Sequence, residues 1–356
     1  MFAPKFTISP ILAQKLVQIE RLATELRYAA ITPSVLAGLK ETAQIHTVHY
    51  STFIEGNRLT MAEVQTLLHD GQAPAGRERD EGEVRGYYVG LNQVAAWVNE
   101  AQDITEPRLK RLHALVMAEG RQTNKRTPYR AVQNVIRNAG SGEITYLPPE
   151  AQDVPVLMTE LVAWLNDEDT QTLPGPVVAG LLHYQYVTIH PYLDGNGRTA
   201  RLLTSWQMHR SGYDLGGIYS LEEHYAKNLA AYYASLALGP SHNYYFGRHE
   251  ADLTPWLEYF VDGVLKSFSA VAEQTRTATS DQSPNVAPDI YLDQRKRKVI
   301  ENFANRSLIK SRDLAEIFDL SERAARNLAQ KWVGEGFLTV ENPAKKSRLY
   351  RIQYDL

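Results

Sequence analysis

Within twelve residues, His190-Pro-Tyr-Leu-Asp-Gly-Asn-Gly-Arg-Thr-Ala-Arg201, the chain gathers four chemical functions. A histidine titrates close enough to neutrality to serve as a general base, which gives His190 that role. Asp194 is a hard oxygen ligand of the kind Mg²⁺ takes. Gly195 and Gly197 flank Asn196 and let backbone N–H groups approach an anion closely. A helix expected to start near Arg198 turns the positive end of its dipole to the same place. Arg198 and Arg201 are three apart, hence on one helix face, while Leu202, Leu203 and Trp206 pack elsewhere. A base, a metal ligand, an anion cradle and two cations describe a polyphosphate site.

Rival motifs fail on context. Gly195-Asn-Gly197-Arg-Thr-Ala200 fits the dinucleotide fingerprint with Ala in the last place, and Asp214 lies near the expected acidic position. That fingerprint needs a strand before it and a parallel strand after it, and the periodicity here is helical. The Gly-Lys-Ser/Thr of a Walker loop occurs nowhere. His249-Glu250 resembles the start of a zinc-protease helix, but Leu253 stands where the second histidine belongs. His46 and His49 lack a third ligand and read as ordinary helix residues. His183, on an apolar stripe, reads as a packed histidine.

The elements that must carry the motif are mainly helical. Ile11-Leu12, Leu16, Ile19 and Leu22-Ala23 recur at spacings of three and four, and similar stripes run through Val154–Leu165, Val177–Ile189 and Trp256–Val271. One segment breaks the pattern: the β-prone runs 131–138 and 143–147 around Ala-Gly-Ser-Gly, ended by Pro148-Pro149, predict a hairpin. The stretch 277–289 is polar, carries prolines and has no apolar period, so it predicts a linker with a domain boundary near residue 285. Beyond it a short helix from Lys298, helices at 311–318 and 321–332 with Ser311 and Ser321 as N-caps, and strands at 337–341 and 347–352 around a polar loop are similar to a winged helix-turn-helix.

Composition narrows the class. With 44% hydrophobic and 22% charged residues over 356 positions, the chain is an ordinary globular protein rather than a disordered or fibrous one. The absence of cysteine excludes disulfides, thiolate metal sites and cysteine nucleophiles. No apolar run reaches the ~20 residues of a membrane span and no secretory signal is visible, so a cytoplasmic protein without membrane contact is expected. The net charge of −3 argues against a whole-chain nucleic-acid binder. Fourteen Lys/Arg against nine Asp/Glu nevertheless give residues 291–356 a balance of +5, leaving −8 for the rest.

The stretch His190–Arg201 resembles the core motif of the Fic family of protein adenylyltransferases, with Tyr192 where the family usually has Phe. The likeness extends to the hairpin at 132–147, similar to the family's flap, and to Asp252-Leu-Thr-Pro-Trp256. It implies a mainly α fold: a Fic-type helical domain with a small β-hairpin flap, then the C-terminal winged helix. The expected boundaries are an N-terminal helical region at 1–110, the catalytic core at 111–276, the linker at 277–289 and the winged helix at 290–356.

The resemblance implies transfer of AMP from ATP to a Ser, Thr or Tyr hydroxyl of a target protein or of the chain itself. In that scheme His190 removes the hydroxyl proton and Asp194 holds Mg²⁺ against the phosphates. Gly195, Asn196 and Gly197 cradle the phosphates, Arg198 grips the γ-phosphate and Arg201 supports the chain. Val135, Ile136 and Arg137 of the flap would dock a target segment by strand addition. Ser51-Thr-Phe-Ile-Glu-Gly-Asn57 resembles the family's inhibitory helix motif, in the class that carries it N-terminally. It implies a brake in which Glu55 pairs with Arg198 and displaces the γ-phosphate. The same resemblance implies an alternative, removal of AMP by a water that Glu55 positions. A homodimer is a candidate assembly. DNA is a candidate partner of residues 290–356 through Arg323, Arg326, Asn327, Lys345, Lys346 and Arg348, and a nucleotide-sensing DNA-binding regulator is the reading from another class.

Overall fold

Apolar residues spaced by three and four do form helices, and their stripes set which face turns inward. The computed structural model describes residues 2–29, 31–72, 74–137, 142–280, 298–299, 308–318, 320–334, 337–342 and 348–352. Helix α1 (Pro10–Arg27) buries Leu12, Ile19, Ala23 and Leu26. Ile11, expected on that stripe, is exposed. The Ser9 hydroxyl accepts the Leu12 N–H and starts the helix. Helix α2 (Pro33–Ile54) ends before Gly56, whose φ of +90° only glycine adopts without strain. Then follow α3 (Met61–Asp70), opened by a capping box between Thr60 and Glu63, α4 (Glu78–Asn99) and α5 (Glu106–Val116).

After α5 comes the expected hairpin, β1 (Ile136–Arg137) antiparallel to β2 (Ile144–Tyr146), with Ile136 opposite Tyr146 and Arg137 opposite Ile144. Most of the hairpin's turn, residues 138–141, lies outside the described residues. The chain continues through α6 (Val154–Leu165), the single turn α7 (Glu168–Gln171), α8 (Gly175–Ile189), α9 (Asn196–Arg210), α10 (Glu222–Lys227), α11 (Leu229–Leu236) and α12 (Thr254–Ser280).

Helix α8 explains the architecture. Its residues are buried on every side except at Val187, as befits a helix with no polar face. Helices α9 and α6 pack on it, and α9 packs in turn on α4 and α5. Trp256 of α12 donates its indole N–H to the Gly180 carbonyl at 2.7 Å, and Trp97 of α4 stacks on Trp206 of α9 with ring centres 4.7 Å apart. Each such fully buried large side chain stabilises the core by roughly 1.5–3 kcal/mol.

The chain divides into two compact units, one of Met1–Leu26, Gln44–Leu215 and Tyr219–Glu273, the other of Arg27–Ala43, Gly216–Ile218 and Gln274–Leu356. In the second unit, β3 (Leu308–Lys310), α13 (Ser311–Phe318), α14 (Glu322–Gly334), β4 (Leu338–Asn342) and β5 (Leu349–Ile352) make a strand, two helices and a hairpin. The antiparallel sheet runs in the order β3-β5-β4. Its small core joins Ile309, Leu314, Ala325, Ala329, Trp332, Leu338 and Tyr350.

Ser321 does cap α14, accepting the Ala324 N–H. Ser311 is instead the first helical residue of α13, and the Asp313 carboxylate takes the Lys310 N–H just before it. Residues 277–280 of the expected linker continue α12, and 281–289 lie outside the described residues. Of the short helix expected from Lys298, residues 298 and 299 are described and helical. In the expected wing loop, Lys345 and Lys346 also lie outside the described residues.

Candidate active site

The site is built where α8 stops and α9 starts. His190 caps α8 with φ 52° and ψ 60°, a left-handed conformation that is unfavourable for any residue with a Cβ and persists only where its neighbours fix it. They do. The His190 N–H bonds the Tyr186 carbonyl at 3.0 Å, and its ring Nδ1 lies 3.2 Å from the Val187 carbonyl. A carbonyl can only accept, so Nδ1 carries the proton and Nε2 keeps its lone pair. Arg130, buried, donates from Nε to the His190 carbonyl at 3.0 Å, and its own N–H bonds the Pro191 carbonyl.

The following loop is closed by Asn196. Its side chain accepts from the Tyr192 N–H at 2.9 Å and donates to the Tyr192 carbonyl at 2.8 Å. The ring of His113 stacks on Tyr192 with centres 3.6 Å apart, and its Nε2 donates to the Asp194 carbonyl at 2.9 Å. Gly195 turns the chain with φ +73°, and a Cβ there would stand 2.7 Å from Met117 Sδ. Helix α9 then begins with the N–H groups of its first turn facing outward, as every helix start does. A Cβ on Gly197 would lie 2.2 Å from Glu55 Oε1, so the Glu55 carboxylate rests directly on that glycine.

The two arginines face different partners. Arg201 is almost fully buried and is held by α2: Nε donates to Ser51 Oγ at 2.7 Å, and Nη2 donates to the Ser51 carbonyl at 2.8 Å and to Glu55 Oε1 at 2.7 Å. Arg198 turns instead toward Asp194, whose Oδ1 lies 3.3 Å from its Nη2, and its Nε–H is buried with no hydrogen-bond partner. The expected contact of Glu55 with Arg198 is therefore corrected to Arg201. Although three residues apart, the two side chains diverge, and only Arg201 points to the face of α9 on which the end of α2 lies.

Residues 103–208 match the Fic/DOC family. They form a Fic/DOC domain. The "Protein adenylyltransferase Fic" of Drosophila melanogaster is 32% identical over 180 residues, covering 49% of this chain and 34% of that protein. The chain thus spans about a third of the length of the curated relatives it matches. Among solved structures, a Fic family protein from Desulfovibrio desulfuricans G20 superposes with a TM-score of 0.62 at 22% identity, covering 99% of both chains. Fic-1 (residues 134–508) from C. elegans gives 0.59 at 25% identity over 76% of this chain and 73% of that one.

Around the Fic/DOC motif, burial governs the charges. Burial lowers His190 to about 4, against the bond to Val187 and the charge of Glu55, which raise it. The imidazole is therefore neutral at pH 7, and its titration lies below the near-neutral value expected of a free histidine. Burial also lowers His113 to about 4. It works against the charge of Arg201 too, but the charge and hydrogen bond of Glu55 together with Tyr232 and Tyr87 outweigh it, and the guanidinium stays firmly protonated. Asp194 is the one acidic side chain of the motif, two-thirds exposed, with Oδ1 on the Gly195 N–H and on Arg198.

The flap reaches the same loop. Asn134 donates to the Tyr192 carbonyl at 3.0 Å, and the Tyr146 hydroxyl donates to the Thr188 carbonyl at 2.7 Å, fixing β2 to the last turn of α8. Val135 and Arg137 are exposed and Ile136 is half-buried. The structure thus brings together His190, Asp194, Gly195, Asn196, Gly197, Arg198, Arg201 and Glu55, with Val135–Arg137 tied to them through Asn134. The Asn196 side chain closes the loop on both polar groups of Tyr192, which leaves its backbone N–H as the group it can offer an anion. Arg130 and His113 escaped sequence reasoning, since each lies far along the chain and neither belongs to a motif.

Proposed function

We propose that the protein transfers AMP from ATP to a Ser, Thr or Tyr hydroxyl of a target protein, and to itself when no target is present. The observation that carries this reading is the orientation of His190: Nδ1–H tied to Val187 and Nε2 left with its lone pair beside the start of α9. In this reading Nε2 takes the hydroxyl proton, the oxygen attacks the α-phosphorus and pyrophosphate leaves with its bonding electron pair. The first-turn N–H groups of α9 and the unpartnered Arg198 Nε–H are donors for phosphate oxygens. Such a reaction depends on positioning and charge stabilisation, which this loop supplies. The names of the relatives agree with this activity.

The donor set fits Mg²⁺ of the kind bound through one carboxylate, phosphates and water, because Asp194 is exposed and its Oδ2 makes no hydrogen bond. When bound, the ion would neutralise charge on the phosphates. Arg130 and Asn134 would meanwhile hold the flap over the loop, and Val135, Ile136 and Arg137 would pair with an extended target segment.

Glu55 acts as the brake. Its carboxylate sits on Gly197 and Arg201, the place an anion would take over the start of α9, so intact protein has low basal activity. Removal of AMP from a modified target is a second reading, favoured by a Glu55 carboxylate that is partly exposed and whose charge acts on His190. The C-terminal strand, two helices and hairpin are proposed as a winged helix that docks protein, a second copy of the chain included. Arg326 and Arg351 are engaged with Glu322 and Glu341, which weakens the case for DNA.

The test is the position of the transferred label. Protein labelled from α-³²P-ATP but not from γ-³²P-ATP supports adenylyl transfer; label from the γ-position, or from neither in a Glu55→Gly protein, overturns it.

A further inference from the structure

We propose that Glu222 is the second counter-charge of Arg201, a positioning residue that holds the guanidinium in place when Glu55 withdraws. The proposal rests on the adenylyltransfer reading only for what Arg201 then does; the charge pairing itself does not.

A guanidinium with 1% exposure cannot lose its only counter-ion without a large penalty. In the brake, Glu55 pairs with the guanidinium directly, and Glu55 must leave the anion position for nucleotide to enter. A second carboxylate lies on the inner side. The Arg201 Nε–H donates to Ser51 Oγ at 2.7 Å. Ser51, with its acceptor engaged, donates to the Tyr87 hydroxyl, and Tyr87 donates to Glu222 Oε1 at 3.3 Å. The Ser220 hydroxyl donates to the other Glu222 oxygen at 3.1 Å. Ser51 and Tyr87 are fully buried and Glu222 is 5% exposed. Every donor in this run points from the cation toward the carboxylate, which is the polarisation that an ionised Glu222 requires.

The other branch from Arg201 ends without a charge. The guanidinium bonds the Tyr232 hydroxyl, whose proton goes to His183 Nε2 at 2.8 Å. His183 Nδ1–H then reaches Thr204 Oγ1 at 2.9 Å, and Thr204 donates to the Ala200 carbonyl at 2.8 Å. Among the residues of these two branches, Glu222 is the acidic one. Burial raises its carboxyl overall, and its backbone hydrogen bond, Arg201, Ser220 and Tyr87 limit that rise. Arg201 therefore sits between an outer carboxylate that can move and an inner one built into the core.

The test is a thermal-unfolding cycle on the full chain with Glu55→Gly, Glu222→Gln and both together, followed by Arg201→Met in the double variant. The proposal expects each single change to lower Tm modestly and the pair to lower it by roughly 5–10 °C beyond their sum. Arg201→Met should then recover most of that excess, because it removes the uncompensated charge; a packing role for Glu222 would give no such recovery. Additive losses, or no recovery with Arg201→Met, overturn it. Mg-ATP affinity supplies the functional arm: Glu55→Gly should bind, and adding Glu222→Gln should weaken binding at least about tenfold, with unchanged affinity overturning the positioning role. Should Glu55→Gly bind no Mg-ATP at all, the nucleotide reading fails while the Tm cycle still decides the charge pairing.

Discussion

Arg130→Met isolates the residue that fixes the candidate base. The Arg130 guanidinium donates to the carbonyls of His190 at 3.0 Å and Val132 at 3.2 Å, to Gln133 Oε1 at 3.2 Å, and to the Pro149 carbonyl. One side chain thereby ties the base of the flap to the residue at which α8 ends. Bonds from a charged donor contribute about 1.5–3 kcal/mol each. Burial of the guanidinium, which lowers its pKa, offsets part of that. A net loss of about 2–4 kcal/mol on Arg130→Met is expected, or a Tm drop of roughly 5–15 °C for a unit this large.

The effect on chemistry should exceed the effect on stability. His190 is held left-handed at a cost of about 1–3 kcal/mol, and removing its carbonyl's donor frees it to relax. A displacement of about 1 Å at the base reduces transfer by about 10²-fold. Arg130→Lys should fall between, since one ammonium cannot reach the separated carbonyls. The assay is label transfer from α-³²P-ATP in a Glu55→Gly background, at a temperature where both proteins are folded. Transfer at the parental rate despite a lowered Tm would refute the positioning argument.

Acid should destabilise the protein through its depressed histidines. His190 and His113 are lowered to about 4 and His183 to about 3, so all three stay neutral in the folded state while the unfolded chain protonates near 6.5. Their stabilisation is complete above about pH 6.5 and lost as pH falls toward 4, each contributing up to ~1.4 kcal/mol per pH unit; a Tm that stays flat from pH 7 to 4.5 contradicts this. Tyr192→Phe should leave Tm unchanged or raise it by about 1–3 °C, because the Tyr192 hydroxyl is buried without a partner. A fall of several degrees on calorimetry would show that the hydroxyl is satisfied in solution.

What was legible in the sequence was whatever lay close together along it. His190 to Arg201 reads as a phosphate loop because helix end, turn and helix start follow one another without interruption. The apolar stripe of Val177–Ile189 announced a helix, though not its burial on nearly every side, and the β-prone runs around 139–142 announced the hairpin. Pairings across the fold were hidden. A spacing of three places Arg198 and Arg201 on one face of α9, yet only the packing of α2 on that helix decides that Glu55 meets Arg201. The pairing of the Asn196 amide with both polar groups of Tyr192 was hidden for a similar reason, since it depends on how tightly the loop closes. Arg130 and Glu222 belong to no motif in the sequence, and only their buried contacts, with the His190 carbonyl and with Tyr87 and Ser220, give either one a task.

The most direct test compares transfer from α-³²P-ATP with Mg²⁺ in wild type, in Glu55→Gly, and in Glu55→Gly combined with His190→Ala. The account predicts weak self-labelling in wild type, strong labelling in Glu55→Gly and none in the double variant. Equal labelling of wild type and Glu55→Gly would remove the brake, and labelling that survives His190→Ala would remove His190 as the base.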